Sequence, residues 1–309
     1  MGKRARVKAR QVASSPGEVG PRQPCPCGSG RRYKACHGSD ATPSFVARPF
    51  AGLVGEVELV AMREFVPAAT APLRLLDSDR PVVLCTLLPA AAPALVRPDA
   101  TVWLGLQVQH QFGDPSRDLA AVLLSALDAE PGTTVGLTES PGAGPRLQDL
   151  VGDAPLVVSV HEGFDFWVAD ADDPTGSVHA SLETANSAAN PTVRLAGVEG
   201  AYWMRVGGRE YLRWVLPYEE ERLLSALARL HAAGADRLVD DSRLVGAFRA
   251  HGLLVPVWDL SLGTGARALE QPAERVAGDL VAALDDDSPL TSQQRSARNG
   301  LANRQLTIR

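Results

Sequence analysis

The stretch AYWMRVGGREYLRWV, residues 201–215, constrains the fold more than any other part of the chain. Two apolar, aromatic-rich runs flank Gly207 and Gly208, and paired glycines take the positive φ that a two-residue hairpin turn requires. Such a turn allows one register. Val206 must face Arg209, Met204 must face Tyr211, Trp203 must face Leu212, Tyr202 must face Arg213 and Ala201 must face Trp214. Side chains alternate along a strand, so Ala201, Trp203, Leu212 and Trp214 share one face, which reads as core. The other face interleaves Tyr202, Met204, Tyr211 and Arg213. It could stack bases or grip a peptide, but arginine stems packed over aromatics in a partly covered sheet are the plainer expectation.

The other segments carry a mixture of helix and strand signals. Residues 56–65 predict a short amphipathic helix closed by Pro67. APLRLL and PVVLCTLL flank DSDR and predict a hairpin. TVWLGLQVQ alternates Val102, Leu104, Leu106 and Val108, the period of a half-buried strand. A helix follows, with Asp114 as N-cap, Pro115 at its first position and EPG as its stop. PLVVSV and FDFWV read as extended. YEEERLLSALARLHAA predicts a helix ended by Gly234, its three glutamates placed at the positive end of the dipole. Residues 242–251 predict a helix, LLVPVWDL a strand, residues 266–284 a helix, and the closing segment a last helix. There is no clean βαβ rhythm, so the predicted class is α+β. The predicted organisation is a basic arm over 1–23, a Cys/His module over 24–38 and an α+β subdomain over 45–137. A Pro/Gly break, TESPGAGPR, then leads to a second α+β subdomain over 147–290 and a tail over 291–309.

Residue usage excludes several functions. Lysine occurs only at Lys3, Lys8 and Lys34. The rest of the chain therefore has no lysine for a P-loop, a Schiff base or a Ser–Lys dyad. It also lacks HExxH and GxSxG. The first 40 residues carry a net charge of +7, which leaves −12 for the remainder of a chain whose total is −5. Any contact with a polyanion is expected from the arm, through Lys3, Arg4, Arg6, Lys8 and Arg10. The charged opening MGKRARVKARQ has no apolar run behind it, which argues against a secretory signal. The longest uncharged stretch, residues 81–96, is shorter than the ~20 residues of a membrane helix and holds three prolines. The expected location is the cytoplasm.

Three of the four cysteines lie in PCPCGSGRRYKACHG, as Cys25, Cys27 and Cys36, with His37 following. Three sulfurs and one imidazole are the donor set of a closed, structural zinc site. Residues two apart in an extended segment point to one side, so Cys25 and Cys27 can present their sulfurs together. Gly28 and Gly30 permit the chain to turn, and RRYKA returns it to bring in Cys36 and His37. Four protein ligands leave no open position for an activated water, so this site predicts structure and recognition, and it argues against catalysis there. Arg31, Arg32, Tyr33 and Lys34 are the surface expected to remain for a partner.

These residues resemble the SEC-C motif, the zinc-binding tail of the SecA translocase ATPase that also occurs in many unrelated proteins. The resemblance implies bound zinc and contact with a protein partner or the ribosome. It does not extend to the ATPase, for which the chain is too short and has no P-loop. FVARPFAGLVGEVELVAMREFVPAATAPLRL and RSARNGLANRQLTIR are similar to an actinobacterial family of unknown activity with this motif near its N-terminus.

The remaining candidates are weaker. LGTGARALE places Gly263, Gly265 and Ala268 in a GxGxxA pattern with Asp285 further on, but the strand that should precede the acid is replaced by helix. His161, Glu162 and Asp165 cluster at a strand end, where a capped turn explains them. Cys85 reads as a buried small hydrophobe, and His110, His179, His231 and His251 are scattered. The leading functional expectation is a zinc-binding recognition factor acting through residues 24–38. A nucleic-acid factor using the basic arm is the alternative, and an enzyme with an unrecognised site in the body comes third.

Overall fold

In the computed structural model the described residues are 22–24, 32–33, 45–168 and 177–303. At its centre is helix α1 (Glu56–Glu64), with eight of its nine residues buried. A helix covered all round must lie inside the protein, not on its surface as its amphipathic pattern suggests. Its entry is set by Gly55, at φ 78°, where a Cβ would come within 2.7 Å of the Leu156 side chain.

One sheet lies against this helix. Its strands are β1 (Ala69–Leu73), β2 (Val82–Cys85), β3 (Ala94–Val96), β4 (Val102–Gly105), β5 (Thr134–Val135) and β6 (Ser159–Val160). They are ordered β5-β3-β4-β2-β1-β6, and only the β2–β4 pair is parallel. The predicted hairpin around DSDR is present, with Leu73 opposite Val82. Helix α2 (Pro115–Leu127) packs against the same sheet. Asp114 caps it as expected, accepting from the N–H groups of Ser116 and Arg117.

The second sheet is antiparallel throughout. Its strands are β7 (Thr192–Arg194), β8 (Ala201–Val206), β9 (Arg209–Trp214), β10 (Arg243–Ala250) and β11 (Leu253–Leu260), in the order β10-β11-β9-β8-β7. The β8–β9 register is the one the two-glycine turn demands, pair for pair. Helices α3 (Ser177–Ala188), α4 (Glu220–Ala233), α5 (Glu270–Leu284) and α6 (Ser292–Asn303) complete the α-helices of the described residues, and Gly234 closes α4 at φ 69°. The α+β class is therefore correct.

Two cores follow from the alternation of the second sheet. Tyr202, Met204, Phe248 and Val255 face α1, α2 and the first sheet. Trp203, Leu212, Trp214 and Trp258 face α4, α5 and α6. A smaller cluster of Ala68, Phe164, Trp167 and Leu182 covers the far face of the first sheet beside Trp103. The first core draws residues from both sides of the Pro/Gly break.

Three local expectations fail, each for a physical reason. Residues 242–251 are not a helix, because β10 fills this range. A β-bulge between Leu244 and Gly246 adds a residue, so Leu244 and Ala247 face the same core. A strand with a bulge has an i, i+3 spacing that imitates a helix. FDFWV forms a 3₁₀ turn, Asp165–Val168, and only the end of PLVVSV pairs as β6. Helix α3 and strand β7 have no counterpart in the sequence reading.

The loop TESPGAGPR is wound about one side chain. The Arg117 guanidinium donates to the carbonyls of Pro141, Gly142, Ala143 and Pro145, at 3.1–3.3 Å. A Cβ on Gly144 would meet that guanidinium at 2.4 Å. Arg117→Ala is therefore expected to cost about 1–2 kcal/mol and to expose residues 138–146 to protease several times faster than in the parent. Unchanged cleavage kinetics would show that the loop holds its shape by itself.

Candidate metal-binding module and its junction with the body

Cys25, Cys27, Cys36 and His37 lie outside the described residues, as do Lys3, Arg4, Arg6, Lys8 and Arg10. Residues 22–24 and 32–33 of the same segment are described. Pro24 and Arg32 form an antiparallel bridge, and the Tyr33 N–H donates to the Gln23 carbonyl at 2.8 Å. The chain at position 24 thus runs antiparallel to the chain at position 32.

Tyr33 corrects one expectation. It is buried, at 7% exposure, and its hydroxyl oxygen accepts the Phe45 N–H at 2.5 Å. An aromatic ring loses its exposed apolar body more cheaply than a charged head, so it makes the inward contact while Arg32 remains exposed. Tyr33 joins the module to the body and is not a surface offered to a partner.

Residues 45–50 form the landing strip. The Val46 N–H donates to the Gly113 carbonyl at 2.9 Å, and Arg48 grips Glu56 through two 2.7 Å bonds. Phe50 is fully buried, with its ring edge-on to His251. Beneath the strip is a cleft of about 440 Å³, lined by Phe45, Val46, Glu64, Gln111, Arg249 and His251 among others. His251 and Gly252 have φ of 47° and 80°, so they form the two-residue turn that joins β10 to β11. His251 Nε2 lies 2.8 Å from Glu64 Oε1. Burial pushes the Glu64 carboxyl up, but His251 and Arg63 outweigh it and hold the group below its ordinary value.

The other candidates resolve into structure. On the hairpin face that carries Tyr202, Met204, Tyr211 and Arg213, Tyr202 is fully buried and its hydroxyl donates to Glu58. Met204 is buried, Tyr211 is half-buried, and the Arg213 guanidinium lies 5.7 Å from the Phe65 ring and 6.0 Å from the Phe248 ring. Burial lowers the Arg213 pKa. Packing, not base stacking, uses Tyr202 and Met204. His161 Nε2 sits 2.8 Å from Thr70 Oγ1 with its ring against Phe166, and burial lowers its pKa. Glu162 is exposed and Asp165 opens the 3₁₀ turn. Cys85 is fully buried, which raises its thiol pKa far beyond the range of a nucleophile.

Two groupings escaped the sequence reading. The first is Glu58, 2% exposed, whose Oε1 accepts from Arg194 Nε at 2.8 Å and the Gly200 N–H at 3.0 Å. Burial and Glu58 together push the Tyr202 phenol well above its ordinary pKa. The only signal in the sequence is an acid amid the apolar positions of α1. The second is a cleft holding His231, Asp236 and Ser242, with His231 Nδ1 2.6 Å from Asp236 Oδ2. It is not a nucleophilic triad. Ser242 Oγ donates to the Val239 carbonyl and accepts the N–H groups of Leu238 and Val239, which uses its whole hydrogen-bonding capacity.

The comparisons with known proteins agree with this division. Residues 49–309 match the model of a family of unknown function, DUF5926. The chain belongs to the DUF5926 family. Residues 22–39 separately match the SEC-C motif, a motif known to bind zinc. The two matches are separated by the segment that contains Phe45 and Val46, so Tyr33 reaches from the motif to the threshold of the DUF5926 body. Neither the comparison with characterised proteins nor that with solved structures gave a match. Among the described residues there is no group of three or more His, Cys, Asp or Glu able to hold a metal, and no helix long and apolar enough to cross a membrane.

Proposed function

We propose that this DUF5926 protein is a zinc-binding recognition factor. One Zn²⁺ would be held by Cys25, Cys27, Cys36 and His37, and a protein partner or the ribosome would be contacted through residues 24–38. The observation that carries this reading is the Pro24–Arg32 pairing with the Tyr33–Gln23 hydrogen bond. It holds Pro24, next to Cys25 in the chain, against Arg32, four residues before Cys36, which supports a compact module there. When bound, zinc with four protein donors supplies a fold and no site for water activation. Tyr33 anchors the module at the Phe45 strip, so a partner would meet Arg32 from a fixed direction relative to the body. Capture from cell extract with the intact chain, beside a variant lacking all four ligands, should return a partner that only the intact chain retains. Identical partner lists would refute the recognition role.

Metal content tests the chemistry separately. Elemental analysis is expected to find one zinc per chain, and Cys36→Ser should lower that content about tenfold or more, because a three-ligand site no longer closes. Chelation should leave the melting of the body almost unchanged, since neither core contains a ligand position. Zinc retained in full by Cys36→Ser would refute the assignment of that ligand.

A second reading rests on the charge separation, +7 over the first 40 residues against −12 elsewhere. Lys3, Arg4, Arg6, Lys8 and Arg10 would neutralise phosphates of a nucleic acid. Binding should then weaken steeply with salt and disappear when residues 1–21 are removed.

A further inference from the structure

Residues 261–265 connect β11 to the 3₁₀ turn Ala266–Leu269 and hold the GTG sequence of the GxGxxA pattern. Gly263 and Gly265 have φ of 94° and 69°. Their amides converge on one group, the carboxylate of Glu210. Gly263 N–H donates to Oε1 and Gly265 N–H to Oε2, both at 2.9 Å. The Trp203 indole donates to Oε2 at 3.0 Å, and Arg205 reaches Oε1 at 3.2 Å. Glu210 is wholly buried, whereas the Arg205 side chain is 46% exposed and forms the rim of the site. Two backbone amides, an indole N–H and a guanidinium around two oxygens make a complete oxyanion cradle.

We propose that residues 203–205 and 261–265 form a carboxylate receptor whose resident ligand is the chain's own Glu210, and that a small monocarboxylate occupies it when that side chain is shortened. The GTG loop that resembles a phosphate-binding turn is thus filled from within.

Parts of the cradle are also held by contacts that do not involve Glu210. The loop closes on itself, because the Thr264 N–H and hydroxyl both donate to the Ser261 carbonyl, at 3.2 and 2.6 Å. Leu269 anchors the following turn in the second core, and Trp203 packs in that core as well. Burial pushes the Glu210 carboxyl up, but the amides of Gly265 and Gly263, with Trp203 and Arg205, prevail and hold it below its ordinary value. The cradle therefore selects the ionised form. Glu210→Ala removes one methylene and the carboxylate, which together are the heavy atoms of acetate. Removal would leave a space of acetate's shape facing the same four donors.

The test is the melting temperature of the full-length Glu210→Ala variant in sodium acetate and in sodium chloride of equal ionic strength. Acetate is expected to raise it saturably by several degrees, propionate by less, and the parent protein should not respond. Equal shifts in acetate and chloride, or an equal response of the parent, would overturn the proposal. A variant that folds only when acetate is present supports it. If Glu210→Ala does not fold in either salt, Glu210→Gln decides. Its amide nitrogen opposes one glycine N–H, so one of the two glycine amides should exchange about tenfold faster than in the parent. Unchanged exchange at both Gly263 and Gly265 overturns the proposal.

Discussion

Glu58→Ala is expected to lower folding stability by about 3–5 kcal/mol, read from the urea midpoint at constant m. The carboxylate has three partners from one region of the second sheet: the Arg194 guanidinium at 2.7 Å, the Gly200 N–H and the Tyr202 hydroxyl. Truncation leaves a fully buried phenol and a backbone donor without acceptors, and a largely buried cation without its counter-charge. Removing one member of a buried pair costs more than the pair contributes, because the desolvation of the survivor is no longer offset. Glu58→Gln keeps the shape, accepts from Arg194 and Gly200 through its oxygen, and should cost roughly half as much. A loss below about 1 kcal/mol for Glu58→Ala would show that water reaches the site and that α1 is less enclosed than its burial indicates.

Trp258→Ala is the second large expected effect, again about 3–5 kcal/mol. Trp258 is fully buried, packs 6.1 Å from the Trp214 ring, and donates its indole N–H to the Asp236 carbonyl at 2.7 Å. The loss combines a cavity in the second core with an unpaired carbonyl. Trp258→Phe retains most of the volume and should cost about 1–2 kcal/mol, chiefly for the hydrogen bond. The two variants together separate packing from polarity. Equal losses would assign the whole effect to the Asp236 carbonyl, and with it the position of the His231 cleft.

The legible parts of the fold are those governed by short-range chemistry. Gly207-Gly208 set a register that the structure repeats without a slip. Asp114-Pro115 and Gly234 begin and end helices where capping rules place them. The β10 error has the same origin as these successes. Leu244 and Ala247 are spaced i, i+3, and a bulge produces that spacing on one face as readily as a helix does. Helix α1 was found, yet its burial was not, because one face of apolar residues says nothing about what lies over the polar face. For the site, the proposed donor set Cys25, Cys27, Cys36 and His37 rests on residue type and spacing alone, since these positions lie outside the described residues. The inward role of Tyr33 was not legible in the sequence, since it depends on an N–H twelve residues away.

From the sequence alone came the α+β class, the central hairpin, the principal helices and the SEC-C module, because turn, capping and ligand chemistry act over a few residues. The tertiary structure alone decided which polar groups are buried and what each of them serves. Glu58 and Arg194 are 136 residues apart, and Glu210 lies 53 from Gly263 and 55 from Gly265. A carboxylate in an isolated strand or helix is simply solvated. Only when tertiary packing encloses it must every lone pair find a donor, and that requirement makes Glu58 a central strut and turns a nucleotide-like glycine loop into the seat of Glu210.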